Sequence, residues 1–135
     1  MTKQQSSGTL HFTLWIAQVL LAASLAWAGM MKLFYPVEKL SVMWPWTSQV
    51  SVALLKLAGM TDLLAAIGLI LPALIRIKPK LTPIAASGVI VLMVCASIFH
   101  LMRNEVSVIG GNVFFAITAA FVAWGRFSKV PILPK

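Results

Sequence analysis

Four apolar stretches of this chain each carry one strongly polar residue, namely Lys32, Asp62, His100 and Asn112, and Arg103 follows His100 one helical turn later. These types suit proton exchange and hydrogen bonding. A carboxylate and an amine can pair, an imidazole gains or loses a proton near neutral pH, and a carboxamide both donates and accepts. In hydrocarbon such groups are costly, so they face a bundle interior or a wet cavity and mark ligand or proton paths. The implied chemistry is noncovalent. No serine sits in a nucleophile elbow. There is no H-E-x-x-H or cysteine cluster for a metal, and His11 is far along the chain from His100. Gly110-Gly111 lacks the rest of a phosphate loop, and no C-x-x-C-H offers a covalent haem attachment. No metal is expected, and no residue is assigned as catalytic.

Each residue also has a plainer reading. Asp62 is the only acid well inside an apolar run, and a cation beside it would keep it charged. Lys32 is the first candidate partner and Arg103 the second. The pair is then either a structural link that fixes helix register or part of a binding or proton-handling site. Lys32 can instead extend its amine to the headgroups. His100 can be a satisfied polar group near the interface, Arg103 can contact lipid phosphate or Glu105, and Asn112 can bond a neighbouring carbonyl. Gln18 lies on nearly the same face as Lys32 but deeper, as an additional candidate.

Composition says where these residues live. Of 135 residues 60% are hydrophobic and 10% charged, and mean hydropathy is +0.94. A water-soluble domain would need about a quarter of its residues charged. The chain is therefore read as one small integral membrane domain. Net charge is +8, from 11 Lys+Arg against 3 Asp+Glu. The basic residues lie between the hydrophobic runs, which fits the positive-inside bias rather than a nucleic-acid-binding face, so no nucleic-acid partner is expected. Cys95, the one cysteine, reads as a small apolar packing residue. The first apolar run is too long for a signal-peptide core and has no clear cleavage site, so it is expected to be retained.

A spanning helix needs about 20 mainly apolar residues. Four runs meet this, giving an all-α transmembrane four-helix bundle with helices near 12–34, 50–74, 81–102 and 106–124, a polar N-terminal tail over 1–11 and a basic C-terminal tail over 127–135. The start of the second helix stays open between Val50 and the residue after Lys56. Pro72 sits near its end and Pro83 in the first turn of the third. Trp44, Pro45 and Trp46, between the first two helices, read as an interfacial belt on either a short surface helix or a plain loop. Lys3, Arg76, Lys78, Lys80, Arg126, Lys129 and Lys135 gather at one end. Lys39 lies at the other, with Lys32, Lys56 and Arg103 at its border. Both termini are therefore expected to be cytoplasmic, in a bacterial cytoplasmic (inner) membrane.

Depth brings the polar residues together. At a rise of about 1.5 Å per residue, Asn112 lies about 9 Å inside its helix and Asp62 about 9 to 18 Å. Lys32 and His100 lie close to the same end. Small residues share their faces: Ser24 and Ala28 with Lys32, Gly59 and Ala66 with Asp62, Ala96 with His100, and Ala116, Ala119 and Ala123 with Asn112. Such stripes let membrane helices approach closely, which predicts that all four polar residues point inward.

The pieces A-G-M-M-K-L-F (Ala28 to Phe34), L-A-G-M-T-D-L-L-A-A-I-G-L-I-L-P (Leu57 to Pro72), H-L-M-R (His100 to Arg103) and W-G-R (Trp124 to Arg126) occur in this order. Over about residues 12–126 the chain resembles the DoxX-like family of small four-helix membrane proteins. The second piece is similar to that family's G-x-x-E-L-x-G-A-x-G-L-x-L-P pattern, with Asp62 where a longer acid is commoner, which would shift any ligand position. The resemblance implies a four-helix bundle, Lys32, Asp62, His100 and Arg103 at the family's polar positions, and a link to quinone or sulfur redox as a membrane partner of redox enzymes. It implies no catalytic mechanism.

Three functions fit these features. In the first, a redox-associated subunit of an oxidoreductase binds a quinone or similar amphipathic ligand between its helices, with Lys32 and His100 bonding carbonyl oxygens and Asp62 setting their protonation. In the second, the chain is a non-catalytic scaffold for a partner enzyme, met through Trp44 to Thr47. In the third, it is a small transporter, for which the basic layer would suit an anion. Expected partners are the lipid bilayer, a redox enzyme and further copies of the chain.

Overall fold

The computed structural model describes the backbone of residues 2–135 and the side chains of residues 8–107 and 109–135. The chain runs through α1 (Thr2–Phe34), α2 (Val37–Met43), a 3₁₀ turn (Pro45–Ser48), α3 (Val52–Ile75), α4 (Leu81–Met102), α5 (Val106–Trp124) and a π turn (Gly125–Lys129). No strand occurs among the described residues. Four of the helical segments, Gly8–Phe34, Val52–Ile75, Leu81–Met102 and Ile109–Lys129, are long and apolar enough to cross a bilayer. The protein is an integral membrane protein built as a helical bundle.

Each helix boundary has a local cause. Pro36 disfavours helical backbone at the residue before it and so ends α1. At the other end, α1 begins at Thr2 rather than near Phe12, because no proline separates the polar start from the apolar run. The expected tail over 1–11 is thus helical where it is described, while residue 1 and the side chain of Lys3 lie outside the described residues. Ser51 decides the open start of the second span: its hydroxyl accepts from Leu54 N at 3.1 Å, and α3 begins at Val52. α3 ends at Arg76, which takes left-handed backbone at φ 57°, and Asn104 turns between α4 and α5 at φ 60°.

α3 lies between α1 and α4, α5 packs on α4, and α1 meets α5 less extensively. Leu21, Leu25, Leu69, Val89 and Val122 close a core around Ala86 and Ala119. Phe114, Ile117, Leu64 and Trp27 are exposed on the outer surface, as expected for side chains that meet lipid. Gly29 of α1 and Gly59 of α3 face each other so closely that a Cβ on Gly29 would meet the Gly59 carbonyl oxygen at 2.8 Å. Small residues at this crossing bring the two backbones together.

Pro72 sits inside α3 and has no N–H for the carbonyl of Gly68. Thr82 of α4 supplies the missing donor: its hydroxyl bonds Gly68 O at 3.0 Å. A break in one helix thereby becomes a link to the next.

The end of the bundle that carries both termini holds a second polar group. Arg126, counted from the sequence among the basic residues of that end, is buried. Its Nε donates to Gln18 Oε1 at 2.7 Å, and its Nη1 donates to Val130 O at 3.0 Å and to His11 Nδ1 at 2.9 Å. Gln18 in turn donates to Leu69 O at 2.8 Å. The guanidinium also lies over the Trp15 ring. This network fastens the π turn to α1 and α3. Nearby, Arg76 Nε donates to Leu133 O at 2.8 Å, and Lys135 N donates back to Arg76 O at 3.0 Å.

Candidate functional site

Lys32 sits in the last turn of α1 and Asp62 near the middle of α3, on either side of the Gly29–Gly59 crossing. The crossing places them in direct contact, and Lys32 Nζ donates to Asp62 Oδ2 at 2.7 Å. Asp62 is buried, and Lys32 keeps a small exposure. The Lys32 amine also lies 5.8 Å from the centre of the Trp44 ring and 5.6 Å from that of Trp46. Aromatic faces attract a cation at this range, so the 3₁₀ turn and the residue before it hold the lysine from above. Lys56 does not join this group. It bonds the carbonyl of Leu33, one of the orphan acceptors at the end of α1.

Beneath the two tryptophans lies a cavity of about 450 Å³. Ser24, Ala28 and Lys32 line it from α1, Leu54, Ala58 and Asp62 from α3, Ala96, Phe99 and His100 from α4, and Gly111, Asn112 and Phe115 from α5. All four spanning helices contribute, and most of the wall is apolar. A second, shallower space of about 330 Å³ lies between α4 and α5 toward Val94, Ile98, Val113 and Ile117. Met93 and Asn112 border both spaces.

His100 is 6% exposed and lies edge-on to Trp46 and Phe99. Its Nδ1 is 3.0 Å from Glu105 Oε1, in the turn after α4. Arg103 Nε donates to the same oxygen at 2.9 Å. The hydrogen bonds from His100 and Arg103 hold the Glu105 carboxyl below the usual carboxylate range. An ionised carboxylate only accepts, so the imidazole proton is on Nδ1. Nε2 is then the ring nitrogen left for the cavity.

Asn112 completes the layer. Its Nδ2 is buried and has no hydrogen-bond partner among the described residues. A buried amide without a partner is costly, and such a group in a native fold calls for a reason.

Of the five residues singled out in the sequence, Lys32, Asp62, His100 and Asn112 line the cavity. Arg103 does not. It braces the rim by bonding Glu105 and Gln49 and covering Phe99. Gln18, the additional candidate, belongs to the Arg126 network at the opposite end. Trp44 and Trp46, expected as a membrane belt, both line the cavity. Two tryptophans shortly after a lysine that must be kept inside were the available signal. The His100–Glu105 contact follows from the tight turn at Asn104, which a linear pattern of helix faces does not contain.

The model of the DoxX-like family matches residues 16–122 of the chain. No curated protein and no solved structure matches it.

Proposed function

The chain belongs to the DoxX-like family, and on that premise we propose that it is a redox-associated membrane subunit that binds a quinone or similar amphipathic molecule in the cavity under Trp44 and Trp46. One observation carries the reading. A cavity of about 450 Å³ with an apolar wall gathers an ion pair, an imidazole and an unpartnered amide at one level of the bundle. Ligand sites are largely apolar, with a few polar groups that fix orientation, and span about 300–1,000 Å³. Lys32 and Asn112 offer donors to a carbonyl head, and the groove between α4 and α5 gives an apolar tail a course toward lipid.

The same proposal sets the cavity near the outer surface of a bacterial cytoplasmic membrane, with both termini inside the cell. Its support is charge. Arg76, Lys78, Lys80, Lys129 and Lys135 are exposed at the end away from the cavity, and basic residues favour the cytoplasmic side. The ligand-binding unit is the 12–126 bundle, and a redox enzyme that uses the bound carrier is the partner.

Titration of the purified protein in nanodiscs with ubiquinone and menaquinone analogues tests the reading, with tryptophan fluorescence as the signal. Saturable quenching is expected, weakened by about tenfold or more in Asp62→Asn or His100→Ala, as for loss of about 1.4 kcal/mol of polar contact. Unchanged binding in both variants removes these residues from the site, and absence of binding by the wild-type protein removes the function.

A further inference from the structure

Arg126 carries a charge that nothing in the chain offsets. It is 3% exposed, at the end of the bundle that holds both termini. Burying a guanidinium is costly unless an anion and hydrogen-bond acceptors meet it. The guanidinium has five N–H groups. Nε donates to Gln18 Oε1, and Nη1 donates to His11 Nδ1 and Val130 O. Nη2 has one long contact, 3.4 Å to His11 O. One N–H of Nη2 is left without an acceptor among the described residues, and every acceptor that is present is neutral.

No carboxylate supplies the missing charge. The acidic side chains of the chain are Glu38, Asp62 and Glu105. Asp62 pairs with Lys32, Glu105 pairs with His100 and Arg103, and Glu38 stands in α2, beyond the far end of α1. Around Arg126 the surface adds charge of the same sign, since Arg76, Lys78, Lys80 and Lys129 are all exposed. His11 turns this charge outward. Arginine only donates, so His11 Nδ1 accepts, and the proton of the neutral ring is on Nε2. The ring is partly exposed, and Nε2 makes no hydrogen bond among the described residues.

We propose that Arg126 and His11 form a seat for a phosphate group, with His11 Nε2–H and the unfilled N–H of Nη2 as donors and the buried guanidinium as counter-charge. Phosphate oxygens accept several such bonds at once, and arginine is well suited to them. An anionic phospholipid headgroup and free inorganic phosphate share this chemistry. The surroundings favour the lipid. Phe12, next to His11, is 67% exposed, and Phe127, next to Arg126, is 51% exposed. Both lie in segments able to cross a bilayer, so acyl chains have an apolar surface beside the seat. Basic pockets between spanning helices bind anionic headgroups in this way. The seat lies at the opposite end from the cavity and does not depend on what the cavity holds.

The experiment compares thermal midpoints of the full chain in nanodiscs of phosphatidylcholine alone, with added phosphatidylglycerol, and with inorganic phosphate in the buffer. Phosphatidylcholine is the reference, because its phosphate already has a cation beside it. Phosphatidylglycerol is expected to raise the midpoint and to saturate at low mole fraction. Native mass spectrometry of protein released from mixed discs is expected to retain phosphatidylglycerol over phosphatidylcholine by about tenfold, the scale of one charge-assisted hydrogen bond. A rise with inorganic phosphate and none with phosphatidylglycerol keeps the seat and makes the free ion its occupant.

Arg126→Gln is expected to abolish both the rise and the retained lipid. His11→Phe, which removes the outward donor, is expected to do the same and decides the matter if Arg126→Gln does not fold. The midpoint of each variant in phosphatidylcholine alone reads its structural cost, so the increment above it reports the seat. Lys78→Gln removes an exposed cation of the same end and is expected to keep the increment. An increment that survives in His11→Phe and Arg126→Gln, or that is lost equally in Lys78→Gln, overturns the seat. So does a wild-type protein that responds to neither phosphate source.

Discussion

Lys32 Nζ and Asp62 Oδ2 stand 2.7 Å apart across the crossing of α1 and α3, with Gly29 and Gly59 back to back beside them. The ion pair and the glycines form one device. The amine and carboxylate meet because the backbones approach, and the backbones approach because neither glycine has a side chain. The pair then gives the cavity a wall in which donor and acceptor are matched, beside His100 and the unpartnered Nδ2 of Asn112.

The pair is expected to behave asymmetrically under mutation. Removing one partner of a buried ion pair leaves an uncompensated charge and costs about 3–5 kcal/mol, whereas replacing both with apolar residues of similar size is often near neutral. Asp62→Leu alone should therefore lower thermal stability in nanodiscs far more than Lys32→Met with Asp62→Leu together. A double variant as unstable as the single one would show that the two residues stabilise the fold through separate contacts.

Gly59→Ala isolates the glycines from the charges. A Cβ at Gly59 would lie 3.0 Å from the Gly29 carbonyl oxygen and from side-chain atoms of Leu33 and Lys32. Backbone cannot yield as a side chain can, so α1 and α3 must separate. Overpacking of this kind costs about 1–3 kcal/mol. Thermal unfolding should show that loss. Gly88→Ala is the control, because a Cβ there meets nothing within 4 Å. Helix propensity favours alanine over glycine at both positions, so equal changes at Gly59 and Gly88 would mean that the crossing does not set the cost.

What the sequence made legible follows from period and cost. The four spans were readable because hydrocarbon demands length and apolarity, and the inward faces because small and polar residues recur at helical spacing. Lys32, Asp62, His100 and Asn112 could be placed at one level because each sits on a regular helix whose rise is fixed. Arg103 lies in the turn after α4, which ends at Met102, and bonds Glu105, the contact the sequence offered beside a place in the polar layer. Gln18 and Arg126 pair at 2.7 Å across a separation of more than a hundred residues. Their contact depends on the π turn and on Gly125 seating against Leu14, which no periodic pattern encodes. Basic residues near a membrane end look alike in sequence whether they face headgroups or, as Arg126 does, the protein.

Glu105 predicts an acid limb. Its carboxyl is held below the ordinary value of 4.5 by hydrogen bonds from His100 and Arg103. A group whose folded pKa is depressed contributes stability that is full above the unfolded value and is lost as pH falls through the folded one. Thermal midpoints measured downward from neutral pH should therefore begin to fall near the ordinary carboxylate range. In Glu105→Gln the curve should be flatter over that range, with a lower plateau at neutral pH. An acid limb of unchanged steepness in the variant would show that Glu105 does not carry it.

Pro72 and Thr82 offer a sharper cycle, because each substitution should change the meaning of the other. Thr82→Val removes the hydroxyl that satisfies Gly68 O and leaves that carbonyl buried beside a proline that cannot donate, at a cost of about 1–3 kcal/mol. Pro72→Ala restores the N–H that an unbroken α3 would offer to Gly68 O. In the double variant the helix bonds its own carbonyl, and the valine methyl stands where the hydroxyl was. The destabilisation caused by Thr82→Val should therefore be smaller in the Pro72→Ala background than in the wild-type chain, as read from thermal unfolding of all four proteins. Additive losses would mean that the Gly68 carbonyl finds another donor when the hydroxyl is gone, and that Thr82 holds α4 to α3 by packing rather than by its hydrogen bond.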